Sequence, residues 1–323
     1  MNNTASSPPP DGAPPALLMI GLGKMGGNMA RRLAVNGATV HGYDRSEAAR
    51  LALAETSGQF PVTLHEQLHH AVAALPTPRM IWLMLPAGLP TQLTIELLLP
   101  MLSPGDTLID GGNANYLDSK VRGQALGERG IAFVDCGVSG GIWGLQNGYC
   151  LMYGASPDAA RSVDPVMRRL AVSEVEGWLH CGPAGAGHFV KMIHNGIEYG
   201  MMQSLAEGFA LLAGRSDFDL KLGEIGELWR HGSVVRSWLL DLTAEALKDP
   251  GAISQVAPVV ADAGDGSWTV EESMRQVTPA PVIAMAMMSR FDSQGKADTG
   301  NKLLALMRRG FGGHAVAGAP VKR

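Results

Sequence analysis

From Ala16 to about residue 185, short apolar runs alternate with stretches of helical period. No other feature limits the fold as strongly. "ALLMIG" (16–21), "ATVHGYD" (38–44), "RMIWLML" (79–85), "DTLID" (106–110) and "IAFVDC" (131–136) have the length and apolar content of strands. Between them lie amphipathic stretches. "KMGGNMARRLAVNG" reads as a helix closed by Gly37, and "SEAARLALAETSG" as one capped by Ser46 and stopped by Gly58. Strands joined by helix-length connections pair in parallel, and such a sheet is covered on both faces. "YCLMYG" (149–154) and a helix near 156–170 extend the pattern. After about residue 185 the strand signals stop. A helix from Gly187 to Gly214 is followed by helical patterns at 221–230, 233–248, 270–277, 280–291 and 297–309. The expectation is an α/β domain over 16–185, with a mostly parallel, doubly wound sheet, followed by an all-helical domain over 186–323.

The totals remove several classes of function. Of 323 residues, 46% are apolar and 17% charged, which suits a packed core rather than a solvated chain. The net charge of −4 predicts no general nucleic-acid surface. An anionic substrate then needs a local cluster of cations. Three cysteines, Cys136, Cys150 and Cys181, have no framework spacing and read as reduced thiols of the cytoplasm. The opening "MNNTASSPPPDGAPP" (1–15) lacks the layout of a signal peptide and has the composition of a disordered tail. No apolar run approaches the ~18 residues of a membrane span.

"GLGKMG" sets Gly21, Gly23 and Gly26 in a G-x-G-x-x-G pattern, between a predicted strand and a predicted helix. That context makes the motif specific for a dinucleotide, in a Rossmann-type domain. Gly21 permits the turn, Gly23 lets the backbone approach a pyrophosphate, and Gly26 lets helix and strand pack closely. Leu22, Lys24 and Met25 complete the loop, and the helix N-terminus offers N–H groups and a positive partial charge. Asp44 ends the second strand, 18 residues after Gly26, where a carboxylate accepts from ribose hydroxyls and repels a 2′-phosphate. This favours NAD. Arg45 beside it leaves NADP as the alternative. Leu85, Pro86 and Ala87 of "MLPAG", and Asn113 of "DGGNANY", follow later strands at the carboxyl edge of the sheet, where ligands of open α/β folds bind.

Lys191, His194, Asn195 and Glu198 are spaced i, i+3, i+4, i+7 and fall on one face of the long helix. Phe189, Val190, Met192, Ile193, Ile197, Met201 and Met202 crowd the remaining circumference. A helix that is apolar almost all round is usually buried, so the polar stripe points to a site. "HEQLH" (65–69) matches a zinc-hydrolase pattern, with His65 and His69 able to share a helix face. It has no clear third ligand and reads as the polar face of a short helix between strands, so no metal is expected.

Several segments resemble the decarboxylating 6-phosphogluconate dehydrogenases, in their short bacterial form, within the β-hydroxyacid dehydrogenase superfamily. They are "GLGKMGGNMARRL", "IDGGNANYLDSK", "GVSGGIWGLQNGYCLMYG", "GPAGAGHFVKMIHNGIEYGMMQ", "GSWTVEE" and "FGGHAV". The superfamily shares a G-x-G-x-x-x-K-x-x-x-N signature, here Gly185 to Asn195, and "HNGIEY" narrows the likeness to the 6-phosphogluconate branch. The resemblance implies oxidation of 6-phosphogluconate by NAD, with loss of CO2 to give ribulose 5-phosphate. Lys191 would act as base on the 3-hydroxyl, helped by an apolar setting that lowers its pKa from about 10.4. Glu198 would protonate C1 of the enediol. Ser139, Gly140 and Gly141 resemble a loop for the substrate carboxylate. Asn113 resembles a residue between nicotinamide and substrate, and His194 and Asn195 resemble ligands of the sugar hydroxyls. Tyr199, Thr269 and Arg290 resemble phosphate ligands. Arg308 and His314 resemble a tail that enters a neighbour's site, which implies a homodimer or homotetramer.

The family usually has Lys or Arg before the Trp of "GSWT", where this chain has Ser267. A hydroxyl donor thus replaces a phosphate's charge partner, and Arg275, Lys302 or Arg309 could compensate. Two other readings stay open from the sequence: a non-decarboxylating dehydrogenase of the 3-hydroxyisobutyrate type, and a non-catalytic NAD(H)-binding sensor.

Overall fold

A computed structural model of the chain describes residues 15–312, except 57, 59–61, 250 and 263. The contacts divide it into two compact units, with the division between Ile193 and His194.

The first unit is built on eight strands: β1 (Ala16–Ile20), β2 (Thr39–Tyr43), β3 (Val62–His65), β4 (Met80–Leu83), β5 (Thr107–Asp110), β6 (Ala132–Ser139), β7 (Cys150–Ala155) and β8 (Trp178–Gly182). Their order across the sheet is β3-β2-β1-β4-β5-β6-β7-β8. All neighbours pair in parallel except β6 and β7, which are antiparallel. The order reverses between β1 and β4, which makes their carboxyl ends a topological switch point.

The connecting helices are α1 (Lys24–Val35), α2 (Glu47–Thr56), α3 (Leu68–Ala73), α4 (Leu89–Leu98), α5 (Tyr116–Gly127), α6 (Gly144–Asn147) and α7 (Pro157–Leu170). Alternation along the strands fills two cores. Leu17, Met19, Trp82 and Val134 pack with Met29 and Leu33 of α1 and Val163 and Met167 of α7. Leu18, Ile20, Ile81, Leu83 and Leu108 pack with Val72 of α3, Ile95 of α4 and Leu126 of α5. Near-continuous apolar strands are what a sheet covered on both faces requires.

The long helix is α8 (Ala186–Gly214), which runs from the first unit into the second. The second unit continues with α9 (Leu222–Trp229), α10 (Trp238–Ala246), α11 (Asp265–Arg275), α12 (Pro281–Ser293) and α13 (Asp298–Gly312). The α/β-then-helical architecture matches the sequence expectation, with local differences. β3 and β8 are strands that the periodicity did not single out, being short and half polar ("VTLH", "WLHCG"). β3 also corrects the reading of "HEQLH": His65 ends a strand and His69 lies in α3, so the two share no helix face. Helix α11 begins at Asp265, before the pattern anticipated, because Gly264 at φ +103° turns the chain into it.

The apolar wheel of α8 predicted burial nearly all round. Met192, Tyr199 and Phe209 are buried, but Val190, Ile197, Met201 and Met202 are exposed in the single chain. The same face continues over a groove of about 590 Å³ whose lining includes Ile197, Met201, Phe209, Trp229, Val235 and Val282.

Candidate active site

The glycine loop stands at the switch point. Gly21 has φ +94°, and a side chain there would strike the Met84 carbonyl. A Cβ on Gly23, by contrast, would meet nothing within 4 Å. Gly23 is also the N-cap of α1, which has no side-chain cap and no acidic residue in its first turn. An open approach to an uncapped helix N-terminus fits a pyrophosphate. Lys24 is exposed, Met25 half-buried and Leu22 buried. Asp44 accepts from the Leu22 N–H (2.8 Å) and the Ser46 N–H (2.8 Å), one on each oxygen. It therefore ties the glycine loop to the end of β2, and the remaining lone pairs can take ribose hydroxyls. Arg45 next to it is exposed.

Leu85, Pro86 and Ala87 follow β4, and Asn113, exposed, follows β5, both at the same sheet edge. A buried ion pair that the sequence reading did not single out fixes these loops. Asp110 at the end of β5 meets Arg122 of α5 at 3.0 Å, and Arg122 also reaches the Gly88 carbonyl at 3.4 Å. Ser139 ends β6 at this edge, and Gly140 and Gly141 carry the chain into the following turn.

Lys191 is brought beside that strand by close backbone packing. A Cβ on Gly187 would fall 2.6 Å from the Met152 carbonyl oxygen and 2.7 Å from the Gly154 nitrogen, so the first turn of α8 rests on β6 and β7. A Cβ on Gly137 would lie 2.7 Å from Lys191 Cγ. The lysine stem thus crosses β6 two residues before Ser139, and the residue is only 6% exposed. Asp135, fully buried on β6, holds the helix start: it accepts from Gly185 N–H (2.6 Å) and His188 N–H (2.7 Å). Burial pushes its pKa up, while the His188 side chain and the two N–H bonds pull it down. The His188 ring lies 2.7 Å from Ser119 Oγ of α5. Asp135 also escaped the sequence reading. Its signal was present, since "IAFVDC" sets one acid inside an apolar strand, where a charge needs partners.

Further along α8, Asn195 is 9% exposed, whereas the His194 and Glu198 side chains are 38% and 40% exposed. His194 Nδ1 stands 3.0 Å from Asn195 Oδ1 and 3.8 Å from Glu198 Oε2. Lys191 and Glu198 share one face two turns apart, about 10 Å along the axis.

The residues expected at a phosphate gather within the second unit. The Arg290 guanidinium lies 3.5 Å over the Tyr199 ring, and the Tyr199 hydroxyl donates to Asp262 at 3.1 Å. Ser267 donates to the same carboxylate at 2.9 Å, and Thr269, 3% exposed, donates to the Asp265 carbonyl at 2.8 Å. Asp262 was not anticipated; "ADAGDG" contains two acids and no spacing that separates them. Two of the cations proposed to replace the missing charge stand in ion pairs: Arg275 with Glu272 (2.7 Å) and Lys302 with Asp298 (3.9 Å). Arg308 and Arg309 are exposed on α13. His314 lies outside the described residues. Among the described residues, no group of three His, Cys, Asp or Glu side chains could hold a metal ion, and no helix is long and apolar enough to cross a membrane.

Two family models match in tandem. The NAD-binding domain of 6-phosphogluconate dehydrogenase matches residues 16–180, and the 6-phosphogluconate dehydrogenase C-terminal domain matches residues 187–309. This chain belongs to the 6-phosphogluconate dehydrogenase family. Within the family it is 39% identical to YqeC of Bacillus subtilis, over 92% of this chain and 97% of that one. It is 38% identical to the NAD(+)-dependent, decarboxylating 6-phosphogluconate dehydrogenase of Haloferax volcanii, over 93% and 97%. The Plasmodium falciparum 6-phosphogluconate dehydrogenase, solved apo, with NADP+ and with 6-phosphogluconate, superposes with a TM-score of 0.81 at 25% identity. That match covers 95% of this chain and 67% of the other.

Proposed function

We propose that this chain oxidises 6-phosphogluconate at C3 with NAD, with NADP as the alternative acceptor, and releases CO2 to leave ribulose 5-phosphate. The carrying observation is the lysine of α8 pressed against β6 next to Ser139, with Glu198 on the same helical face. Family membership supports the reaction class, and it favours decarboxylation over the 3-hydroxyisobutyrate and sensor readings.

The residues at the glycine loop, Asp44 and the loops after β4 and β5 would hold the dinucleotide, which supplies the hydride acceptor when bound. Lys191 takes the proton of the 3-hydroxyl. Once protonated, Lys191 stabilises the negative charge that develops on the C3 oxygen as CO2 departs. Glu198 then delivers a proton to the carbon that bore the carboxylate, C1 of the resulting enediol. The N–H groups of Ser139, Gly140 and Gly141 receive the substrate carboxylate, and His194, Asn195 and Asn113 receive its hydroxyls. Tyr199, Ser267, Thr269 and Arg290 receive its phosphate.

The nucleotide domain would span 16–185 and the substrate domain 186–323. The protein acts in the cytoplasm as a homodimer or homotetramer, in which a second copy covers the exposed face of α8. The tail bearing Arg308 and His314 completes the neighbour's site. The exposed Ile197, Met201 and Met202 support the oligomer, since contiguous apolar patches of this kind mark interaction surfaces. A coupled assay tests the reaction. NAD and 6-phosphogluconate should yield NADH and CO2 in equal amounts. NADH formed only from small unphosphorylated hydroxyacids, without CO2, would replace this reading by the non-decarboxylating one.

A further inference from the structure

The hydroxyls expected at the phosphate end are each turned onto an acceptor of the chain itself. Asp262 receives three hydrogen bonds: from Tyr199 Oη (3.1 Å) and Gly264 N (3.0 Å) on one oxygen, and from Ser267 Oγ (2.9 Å) on the other. Thr269 gives its proton to the Asp265 carbonyl, and Arg290 gives Nη1 to the Ala261 carbonyl at 2.8 Å. Asp262 is half-buried and, among the described residues, has no ion-pair partner. A phosphate dianion entering here must take both hydroxyls from a carboxylate and then sit beside its charge. Like charges at such range repel, and the dianion has no proton to donate in return. A terminal hydroxyl suits the same groups better, because it can donate to Asp262 and accept from Tyr199 or Ser267.

We propose that this chain also oxidatively decarboxylates unphosphorylated aldonates such as gluconate, and that Ser267 and Asp262 together set its tolerance for a neutral chain end. The inference rests on the reading of the site given above. The step balances: the C3 hydrogen leaves as hydride to NAD, the C3 hydroxyl becomes a ketone, and the C1–C2 bond breaks to release CO2. The carbon left behind takes up one proton, so gluconate and NAD become ribulose, CO2 and NADH.

Steady-state rates with gluconate and with 6-phosphogluconate, on the wild type, Ser267→Arg and Asp262→Asn, test this. A site that requires a polar group rejects the analogue lacking it by about 10⁴–10⁵. Here kcat/KM for the two substrates should differ by less than about 10³-fold. Both variants should raise the preference for 6-phosphogluconate roughly tenfold or more, mainly through KM. Asp262→Asn keeps the size of the side chain, which guards against a folding defect in Ser267→Arg, and circular dichroism checks both. Turnover of 6-phosphogluconate with gluconate beyond the 10³-fold limit, or a preference unmoved in both folded variants, overturns the inference alone. NADH and CO2 from neither substrate overturns the proposed reaction and this inference with it.

Discussion

At the start of α8 the chain is backbone laid on backbone, whereas the polar groups around Tyr199 are held mainly by side chain bonded to side chain. The first turn of α8 sits so close to β6 and β7 that Gly187 and Gly137 leave no room for a methyl group, and a buried carboxylate holds its N–H groups. Eight residues on, Tyr199 is placed by a stacked guanidinium and a shared half-buried carboxylate. Contacts of the first kind tolerate almost no change of sequence. Contacts of the second kind can be rewired by one substitution. The reaction centre and the specificity centre are therefore built with different stiffness.

The largest effect should come from Lys191→Ala, which removes the base while leaving the glycine loop intact. Turnover should fall by roughly 10³-fold or more, with the NAD dissociation constant little changed by titration calorimetry. Near-normal turnover would detach the stiff region from chemistry altogether. Gly187→Ala comes next. Its methyl group collides with fixed backbone atoms and should cost about 1–3 kcal/mol in denaturant unfolding, by the ordinary penalty of overpacking. A neutral result would mean that the helix start can yield, and the contrast with the Tyr199 end would fade.

The smallest effect is a pH dependence in the sheet unit itself. His41 Nδ1 and His65 Nε2 lie 2.9 Å apart on β2 and β3. Burial, and then the neighbouring imidazole, holds both below the ordinary 6.5; for His65 that neighbour is His70. With folded values depressed, the unfolded chain binds protons first. The stability from this pair is full above about pH 6.5 and is lost as pH falls through the lower folded values. Melting scans should show a slight decline over that window, blunted in His65→Gln. Equal declines would assign the effect to other groups.

What could be read from the sequence follows the same division. The parallel sheet, the glycine loop and the position of Lys191 are written in spacing, because backbone approach demands glycine at fixed intervals and apolar residues at fixed periods. The strands at 62–65 and 178–182 were missed because at four and five residues, with polar members, they carry too little period to register. The "HEQLH" segment misled because a strand end and a helix start together mimicked one helical face. Apart from the local Gly264 N–H on Asp262, Asp262, Arg122 and Asp135 act through partners 5 to 63 residues away in sequence, and no local pattern encodes such pairings.

Asp135 and the His188 amide are 53 residues apart along the chain, with β7, α7 and β8 between them. The helix start that carries the base is thus satisfied only after a long excursion has closed. Contacts of such sequence separation form late, because the entropy of loop closure must be met before they return anything. During folding, the proton acceptor should find its station only once that excursion has closed.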